Sequence, residues 1–511
     1  MLRELLAEVD TLAARGSLER EISGLALDSR HVRPGDAFFA LPGVQADGAR
    51  FAAAAVAAGA AAVFGAPGLE PSSATLVDVA EPRLALAQAA GCFYAHPSRS
   101  MQVVAVTGTN GKTTITYLVE AIALAAGLTA GVIGTTGVRV AGTTRPSAFT
   151  TPEAPELQGL LADMRAAKVT CVALETSSHA LVQRRTWGLA CDVCVFTNLT
   201  QDHLDYHGTM QAYLDAKLML FDGRNGGRVA PSATPQVPVK ACVAVVNADD
   251  PRADDVAAAA RRGGMRVRRY GSPAAVGERD GVALTTVTAK PAGLTLKLTD
   301  HDDADTREHV VELPMLGRYN AWNAAAAFTA ARALGLDGGT AARGLEQSHG
   351  VPGRLERVEA GQPFVLVVDY AHTPDALERA LAACREHARG RVLLVFGCGG
   401  DRDRGKRPLM GAAAARGADR AWVTNDNPRS EDPAAIAAGI LAGAPAAGLV
   451  VQLDRRAAIA AAIAAAGPTD VVLVAGKGHE TTQTVGVHVL PFDDREVARE
   501  LLGRNASAGT A

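Results

Sequence analysis

The chain has 511 residues, 48% of them apolar and 21% charged, a balance that gives each of about three domains its own core and excludes wholesale disorder. Lys and Arg number 51 against 54 Asp and Glu, a net charge of −3. That argues against a dedicated nucleic-acid binder and still allows small anions to be held by a few placed cations.

The N-terminus MLRELLAEVD carries acids where a secretory signal needs an apolar run. An uncharged stretch over residues 51–69 is mostly alanine broken by Gly59 and Gly65. It is too weakly apolar to span a bilayer and predicts a helix, a glycine stop and the short strand AAAVFG. A cytoplasmic protein without membrane insertion is expected. From about residue 101 the texture changes to buried strands, each followed by a helix: QVVAVTG, TCVALE, DVCVFTNL and ACVAVVNADD. They are apolar without strict alternation, as in parallel strands covered on both faces, and imply right-handed βαβ units. Residues 222–240, rich in Gly, Pro and Ser, predict a surface loop. GVALTTVTAKPAGLTLKLTD predicts an appended antiparallel hairpin, and a helix follows from Tyr319 to Ala333. After GVPGRLERV the rhythm restarts with PFVLVVDYAH, RVLLVFGCGG, RAWVTNDNPR and DVVLVAGKGHE, a Rossmann-like sheet. The final NASAGTA predicts a frayed tail. Of seven cysteines only Cys191 and Cys194 form C-x-x-C; with no second pair at zinc-site spacing, packing thiols are expected.

The unusual residues follow strands, where open α/β sheets bind ligands; two such edges facing each other would make one cleft. VVAVTGTNGKTT is a strand, a glycine loop and a helix start. Its backbone N–H groups can surround phosphates while Lys112 reaches the terminal ones and Thr113 offers a hydroxyl to Mg²⁺. The spacing is Gly108-x-x-Gly111-Lys112-Thr113, not G-x-x-x-x-G-K-[ST]. Glu175 ends a buried strand, suiting a cation ligand or a solvated cap. His203 reads as a ligand or a hydrogen-bonded surface residue, Lys217 as a functional or a snorkelling lysine. In the third repeat Asp369, His372, Arg402, Asp426, Asn427, Arg429 and Glu480 occupy post-strand loops, where arginine suits bidentate capture of carboxylates.

Taken in order, TGTNGKTT, ETSSHALVQRR, NLTQDHLDYHG, the AK of LDAKLML, LGRYNAWN, GRLE, DYAHTPD, GCGGDRDRGKRP, NDNPR and GKGHE resemble the Mur ligases. Within that family they are similar to the members that add the third residue of the peptidoglycan stem peptide. The resemblance runs from LALDSR to GKGHE. It implies an α/β fold of three domains: a small substrate-binding domain over 1–98, a central P-loop-type, mostly parallel domain with an antiparallel addition over 99–345, and a Rossmann-like domain over 346–504, with a tail over 505–511. The implied activity is ATP-dependent amide ligation through an acyl phosphate. The implied ATP residues are Gly108, Thr109, Asn110, Gly111, Lys112, Thr113 and Thr114, with Asn320, Arg354, Asp369 and His372. Thr113, Glu175, His203 and Lys217 match the magnesium positions, Lys217 as a CO₂-derived carbamate; Lys112, Glu175, His203 and Lys217 are the implied catalytic set. Leu27, Ser29, Val44, Gln45 and Ala46 match uridine-nucleotide positions, and Thr150, Thr151, Ser177, Gln183 and Arg185 those gripping the muramoyl dipeptide. Arg402, Asp426, Asn427, Pro428, Arg429, Gly476 and Glu480 match the amine's site. The implied substrates are UDP-N-acetylmuramoyl-L-alanyl-D-glutamate and meso-2,6-diaminopimelate, D-N-P-R accompanying the latter, and the expected state is a monomer. Rival readings are the L-lysine-adding ligase of the family, folylpolyglutamate synthase (which lacks a substantial domain before the glycine loop), a P-loop switch or motor, and a non-catalytic nucleotide-binding module.

Overall fold

In the computed structural model the described residues are 1–511 without 44–46, 71, 227–239, 278–279, 291–292, 303–304, 445–447 and 509–511. Most of the expected loop over 222–240, and the substrate positions Val44, Gln45 and Ala46, therefore lie outside the described residues. The chain forms two compact units: Met1–Ala283 with Asp300–Thr306 and Ala326–Ala341, and Leu284–Thr299 with Arg307–Ala325 and Ala342–Ala511.

The first unit holds two sheets. The smaller has the order Ala13–Arg15, Thr75–Asp78, Ala62–Gly65, Asp36–Phe39, Gly24–Ala26, parallel except at Ala13–Arg15. Its three central strands are buried at every position, and Phe39 stacks on Phe64 at 4.4 Å. The expected helix, stop and strand are helix Ala52–Ala57, Gly59 with φ +100° and strand Ala62–Gly65.

The larger sheet carries the order Arg266–Gly271, Val243–Asn247, Val193–Phe196, Gln102–Thr107, Cys171–Glu175, Ala130–Gly134, Gly137–Val140, Thr143–Arg145. It is parallel as far as Ala130–Gly134 and antiparallel over the last two pairings. Gln102–Thr107 is central, so the registers Val106↔Glu175 and Thr107↔Phe196 set three carboxyl ends side by side. Cys194 and Cys242 are buried with Sγ atoms 3.7 Å apart, and Cys194 packs in an apolar cluster with Leu218, Phe221 and Met265. These are packing thiols, as the composition predicts.

In the second unit the sheet runs Glu356–Arg357, Val365–Asp369, Val471–Ala475, Val392–Phe396, Arg420–Val423, Leu449–Val451, parallel except at Glu356–Arg357. Four buried strands thus end at one edge, before Tyr370, Gly476, Gly397 and Thr424. The expected hairpin is Gly281–Lys290 and Gly293–Asp302, joined in its sheet by a third strand, Asp305–Leu313, that the alternation did not flag. Helix Tyr319–Ala333 has the expected bounds. The expected tail is corrected: helix Asp494–Ala508 takes in most of it.

Helix Asp494–Ala508 is anchored by a fully buried pair. Arg455 Nε and Nη2 each donate to Asp494 at 2.7 Å, and the same guanidinium donates to the carbonyls of Asn425 (3.2 Å) and Ala475 (3.0 Å). One side chain thereby ties two strand ends to the C-terminal helix. Removing one partner of a buried pair strands the other charge, at about 3–5 kcal/mol. Arg455→Met should lower the urea midpoint accordingly, and Arg455→Met with Asp494→Leu should recover most of the loss; equal losses in the two variants would refute this reading of the pair.

Candidate active site

The glycine loop crosses from strand Gln102–Thr107 to helix Lys112–Ala125. Gly108 has φ +146°, and a Cβ there would lie 1.8 Å from Thr197 Oγ1 and 3.0 Å from Asn198 N. Only glycine lets the loop lie this close to the neighbouring strand end. The loop is laced to that end: Thr109 N donates to Asn198 O (2.8 Å), Asn110 N to Asn198 Oδ1 (2.9 Å), and Thr197 Oγ1 to Asn110 O (2.6 Å). Gly111, at φ +88°, opens the helix, whose first turn carries Lys112, Thr113 and Thr114 and adds positive potential from its free N–H groups. Lys112 Nζ donates to the carbonyls of Gly108 (3.0 Å) and Thr109 (2.8 Å), holding the loop's curvature.

Glu175 is 1% exposed. Its Oε1 accepts from Thr135 N (2.8 Å) and its Oε2 from Thr135 Oγ1 (3.1 Å). A Cβ at Gly134 would fall 2.2 Å from Oε1, so the Gly134–Thr135 turn is shaped around the carboxylate. Sequence reasoning missed this cradle. It also missed what supports it: Tyr117 OH pairs with Thr136 Oγ1 at 2.7 Å, and the Tyr117 ring lies under Arg139, which is paired with Glu120. Two further hydroxyls at these strand ends, Thr107 Oγ1 and Thr176 Oγ1, are buried without a hydrogen-bond partner among the described residues.

Lys217 is 1% exposed; its Nζ lies 4.3 Å from the Tyr213 ring centroid and forms no hydrogen bond or ion pair with any described residue. Burial, reinforced by the Lys112 charge, holds its ammonium well below the usual lysine range. The snorkelling alternative is thereby corrected: the amine end is inside. His203 is half exposed with φ +53°; its ring packs edge-on to His179 at 4.9 Å and lies 6.0 Å from Tyr213. His207 accepts or donates at Ser178 Oγ (2.9 Å) and is pushed down to about 4 by burial and by His179, Lys217 and His203. Lys217 and His203 thus meet around Tyr213. No hydrogen bond or ion pair joins Glu175, His203 and Lys217, and among the described residues no three His, Cys, Asp or Glu side chains are grouped to hold a metal.

The dipeptide positions come together. Thr151 Oγ1 donates to Glu175 O (2.8 Å) and accepts from Ser177 N (3.2 Å), and Arg185 donates to Thr151 O (2.9 Å) and Gln183 Oε1 (2.6 Å). Arg185 also pairs with Glu153 at 2.9 Å, while Thr150 Oγ1 meets Thr135 Oγ1 at 3.1 Å. Leu27, which is exposed, and Ser29 flank Asp28 after strand Gly24–Ala26, with no hydrogen bond to that cluster among the described residues.

In the second unit Asn320 and Arg354 line one cleft of about 280 Å³ with Met315, Leu316 and Gly350. Arg354 lies 5.0 Å over the Tyr370 ring. Asp369 accepts from Leu355 N (2.7 Å) and Ala371 N (2.8 Å), with burial raising its pKa, and His372 Nδ1 meets Tyr370 O at 2.8 Å. On the neighbouring strand ends Asn427 Nδ2 donates to Glu480 Oε2 (2.8 Å), and Arg429, at φ +51°, donates to Gly400 O (2.7 Å). Asp426 is 8% exposed, its carboxylate accepts no hydrogen bond from a described residue, and burial raises its pKa. Its Oδ2 faces Gly476, where a Cβ would lie 2.6 Å away. Pro428 is buried and Arg402 exposed. Lys477 and Tyr370, which sequence reasoning passed over, sit among these groups; the GKGHE string was the available signal for the lysine.

Residues 21–105 match the Mur ligase family catalytic domain, 106–331 the Mur ligase middle domain, and 353–478 the Mur ligase glutamate ligase domain. A UDP-N-acetylmuramoyl-L-alanyl-D-glutamate–2,6-diaminopimelate ligase of Syntrophomonas wolfei is 42% identical over 505 residues, 98% of this chain and 99% of the relative. A solved structure of a UDP-N-acetylmuramoyl-L-alanyl-D-glutamate–2,6-diaminopimelate ligase is 34% identical with a TM-score of 0.71, covering 96% of this chain and 97% of its own. Folylpolyglutamate synthase of Mycobacterium tuberculosis, solved with ADP and AMPPCP, shares the fold at 20% identity and a TM-score of 0.56, covering 82% of this chain and 95% of its own.

The glycine loop generates a direct test. Gly108→Ala forces either the loop or Thr197 to move, a local strain of about 1–3 kcal/mol. Calorimetric titration with a non-hydrolysable ATP analogue should show roughly tenfold weaker binding or worse, with the circular dichroism spectrum unchanged. Wild-type affinity would remove the loop from the nucleotide site.

Proposed function

The chain belongs to the Mur ligase family, and we propose that it uses ATP to add meso-2,6-diaminopimelate to UDP-N-acetylmuramoyl-L-alanyl-D-glutamate, forming an amide with release of ADP and phosphate. The observation that carries the choice of amine is the meeting of D-N-P-R with GKGHE: Asn427 bonded to Glu480, the Asp426 carboxylate accepting no hydrogen bond from a described residue, and Arg429 of the same loop donating to Gly400 O on the neighbouring loop. Carboxylates there suit an ammonium and arginine suits a carboxylate, which together describe the amino-acid end of a zwitterion.

On this reading Gly108 to Thr114 surround the ATP phosphates, and Lys112 stabilises charge on the phosphoryl group as it passes to the substrate carboxylate. Asn320, Arg354, Asp369 and His372 are assigned to the nucleotide as well. Thr151, Ser177, Gln183 and Arg185, with Thr150, hold the dipeptide, whose carboxylate becomes the acyl phosphate; the incoming amine displaces phosphate from it. Leu27, Ser29 and residues 44–46 are assigned to the uridine nucleotide.

The metal assignment fits the donor set. Both Glu175 oxygens accept from Thr135, and Lys217 is a buried amine whose pKa is lowered by burial and by the Lys112 charge, which favours the neutral form that attacks CO₂. As a carbamate it would offset the Lys112 charge. Thr113, Glu175, His203 and carbamylated Lys217 would hold Mg²⁺, which supplies charge neutralisation to phosphoryl oxygens. Domain limits of 1–98, 99–345 and 346–504, a monomeric state and a cytoplasmic location complete the proposal; no helix among the described residues is long and apolar enough to cross a membrane.

The assay is phosphate release by purified protein with ATP and the muramoyl dipeptide across a panel of amines. Turnover should require the amine and should favour diaminopimelate over L-lysine, whose side-chain end brings no carboxylate to Arg429; sites built for a polar group reject analogues lacking it by about 10⁴ or more. Arg429→Ala should narrow that ratio. A wild-type preference for lysine refutes the amine assignment, and amine-independent turnover refutes the ligase. Separately, Lys217→Ala should be nearly inactive and partly rescued by short carboxylates, whereas Lys217→Arg should stay inactive because guanidinium neither carbamylates nor binds a cation; an active Lys217→Arg enzyme contradicts the carbamate.

A further inference from the structure

A lysine is almost never fully buried unless paired, and Lys477 is 0% exposed. Its ammonium donates to three acceptors, Asn427 Oδ1 (3.3 Å), Glu480 Oε2 (3.1 Å) and Thr482 O (2.5 Å), which uses all three of its hydrogens. The consequences fall on its neighbours. Asn427 Oδ1 also accepts from Thr484 N at 2.9 Å, so the carbonyl end of this amide is fixed and its Nδ2 is directed at Glu480 Oε2, 2.8 Å away. Glu480 Oε2 therefore has two donors, while Oε1 accepts from no described residue and the side chain keeps 34% of its surface. One oxygen is clamped and the other is presented. Gln483 Nε2 holds the adjacent backbone by donating to Asp426 O at 2.8 Å.

We propose that Lys477 is a positioning residue for the amine substrate, acting through Glu480 and Asn427: it locks one Glu480 oxygen so that Oε1, beside the Asp426 carboxylate, faces the substrate's ammonium. The inference rests on reading this loop as the amine site. A lysine that merely stapled the loop after Val471–Ala475 to strand Thr482–Val485 would act on every substrate alike. A positioning lysine acts on the amine alone, because a displacement of about 1 Å in a binding group can cost on the order of 10² in rate.

The test measures KM for meso-diaminopimelate and for ATP, and kcat, in Lys477→Met, Glu480→Gln and the double variant. Lys477→Met should raise the amine KM about ten- to a hundredfold, leaving the ATP KM and kcat at saturating amine within about threefold. In the Glu480→Gln background the same change should add less than about threefold, since the lysine acts through a carboxylate already removed. Parallel rises in both KM values, or effects that multiply in the double variant, overturn the proposal. If Glu480→Gln alone leaves the amine KM unchanged, the amine-site reading itself fails, whatever Lys477 does. Should Lys477→Met not fold, Lys477→Gln, which keeps two donors but stops short of Glu480, should show the same split at smaller size, and its absence counts equally against the proposal.

Discussion

Two ammonium groups in one dry region impose the condition on which the first unit depends. Lys112 and Lys217 are close enough for the charge of one to depress the pKa of the other, and the Lys217 amine forms no ion pair with a described residue, the Asp202 charge acting on it only as the smallest of three effects. Such an arrangement would be poor design for stability, because a buried unpaired cation is among the costliest groups a fold can hold. It is tolerated in two ways. Burial and the Lys112 charge favour the neutral form of Lys217, and Lys112 turns to the carbonyls of Gly108 and Thr109. Both arrangements leave the region short of negative charge. On the proposed function, polyphosphate would supply it at the glycine loop and a carbamate would supply it at Lys217, so the same imbalance would favour the charged reactant.

The strand order makes that concentration of groups possible. Gln102–Thr107 lies between Cys171–Glu175 and Val193–Phe196, which brings a glycine loop, a carboxylate and the Thr197–Asn198 corner to one sheet edge. At that edge two glycines are set by contact distances: Gly108 against Thr197, and Gly134 against Glu175. The second unit repeats the device with Gly476 against Asp426 and Gly353 against the His479 backbone. In each case the missing Cβ admits a polar group where a methyl would otherwise sit, and at Gly108, Gly353 and Gly476 the backbone also takes the positive φ that favours glycine.

Much of this was legible in the chain because parallel strands buried on both faces announce themselves as unbroken apolar runs, and because the residue after such a run is at the binding edge. QVVAVTG and DVVLVAG are examples. Strand Asp305–Leu313 was not legible: DTREHVVEL is charged at its start and carries no turn signal ahead of it that distinguishes it from a loop. Nor was the Gly134–Thr135 cradle, since Thr135 is forty residues from Glu175 in sequence and its role comes from the adjacency of Cys171–Glu175 and Ala130–Gly134. Lys477 escaped for a different reason. A lysine between two glycines reads as a flexible surface cation, and only its complete burial among Asn427, Glu480 and Thr482 shows otherwise. The tail NASAGTA looked frayed because chain ends usually are, yet the helix begun at Asp494, anchored by Arg455, carries on through Ala508.

On the proposed reading of the second unit as the amine site, its charges would also constrain which amine of a diamino acid can react. An attacking amine must be neutral, since an ammonium has no lone pair to offer. Asp426 and Glu480 would hold a proton on any amine bound between them, because a nearby carboxylate favours the charged form. The burial that raises the Asp426 pKa weakens this effect without reversing it, as a paired ammonium restores the carboxylate. An amine seated there is therefore the non-reacting one. The reacting amine must lie at the other end of the molecule, away from the two acids. A substrate for such a site needs an amino-acid terminus to fill the acid-and-arginine pocket and a second amine several bonds away. Both meso-diaminopimelate and L-lysine carry two amines, but only the former keeps a carboxylate next to each, so that Arg429 can be paired whichever terminus enters. For lysine the arginine is paired only if its α-carbon end enters the pocket, and the side-chain amine would then be the one to react.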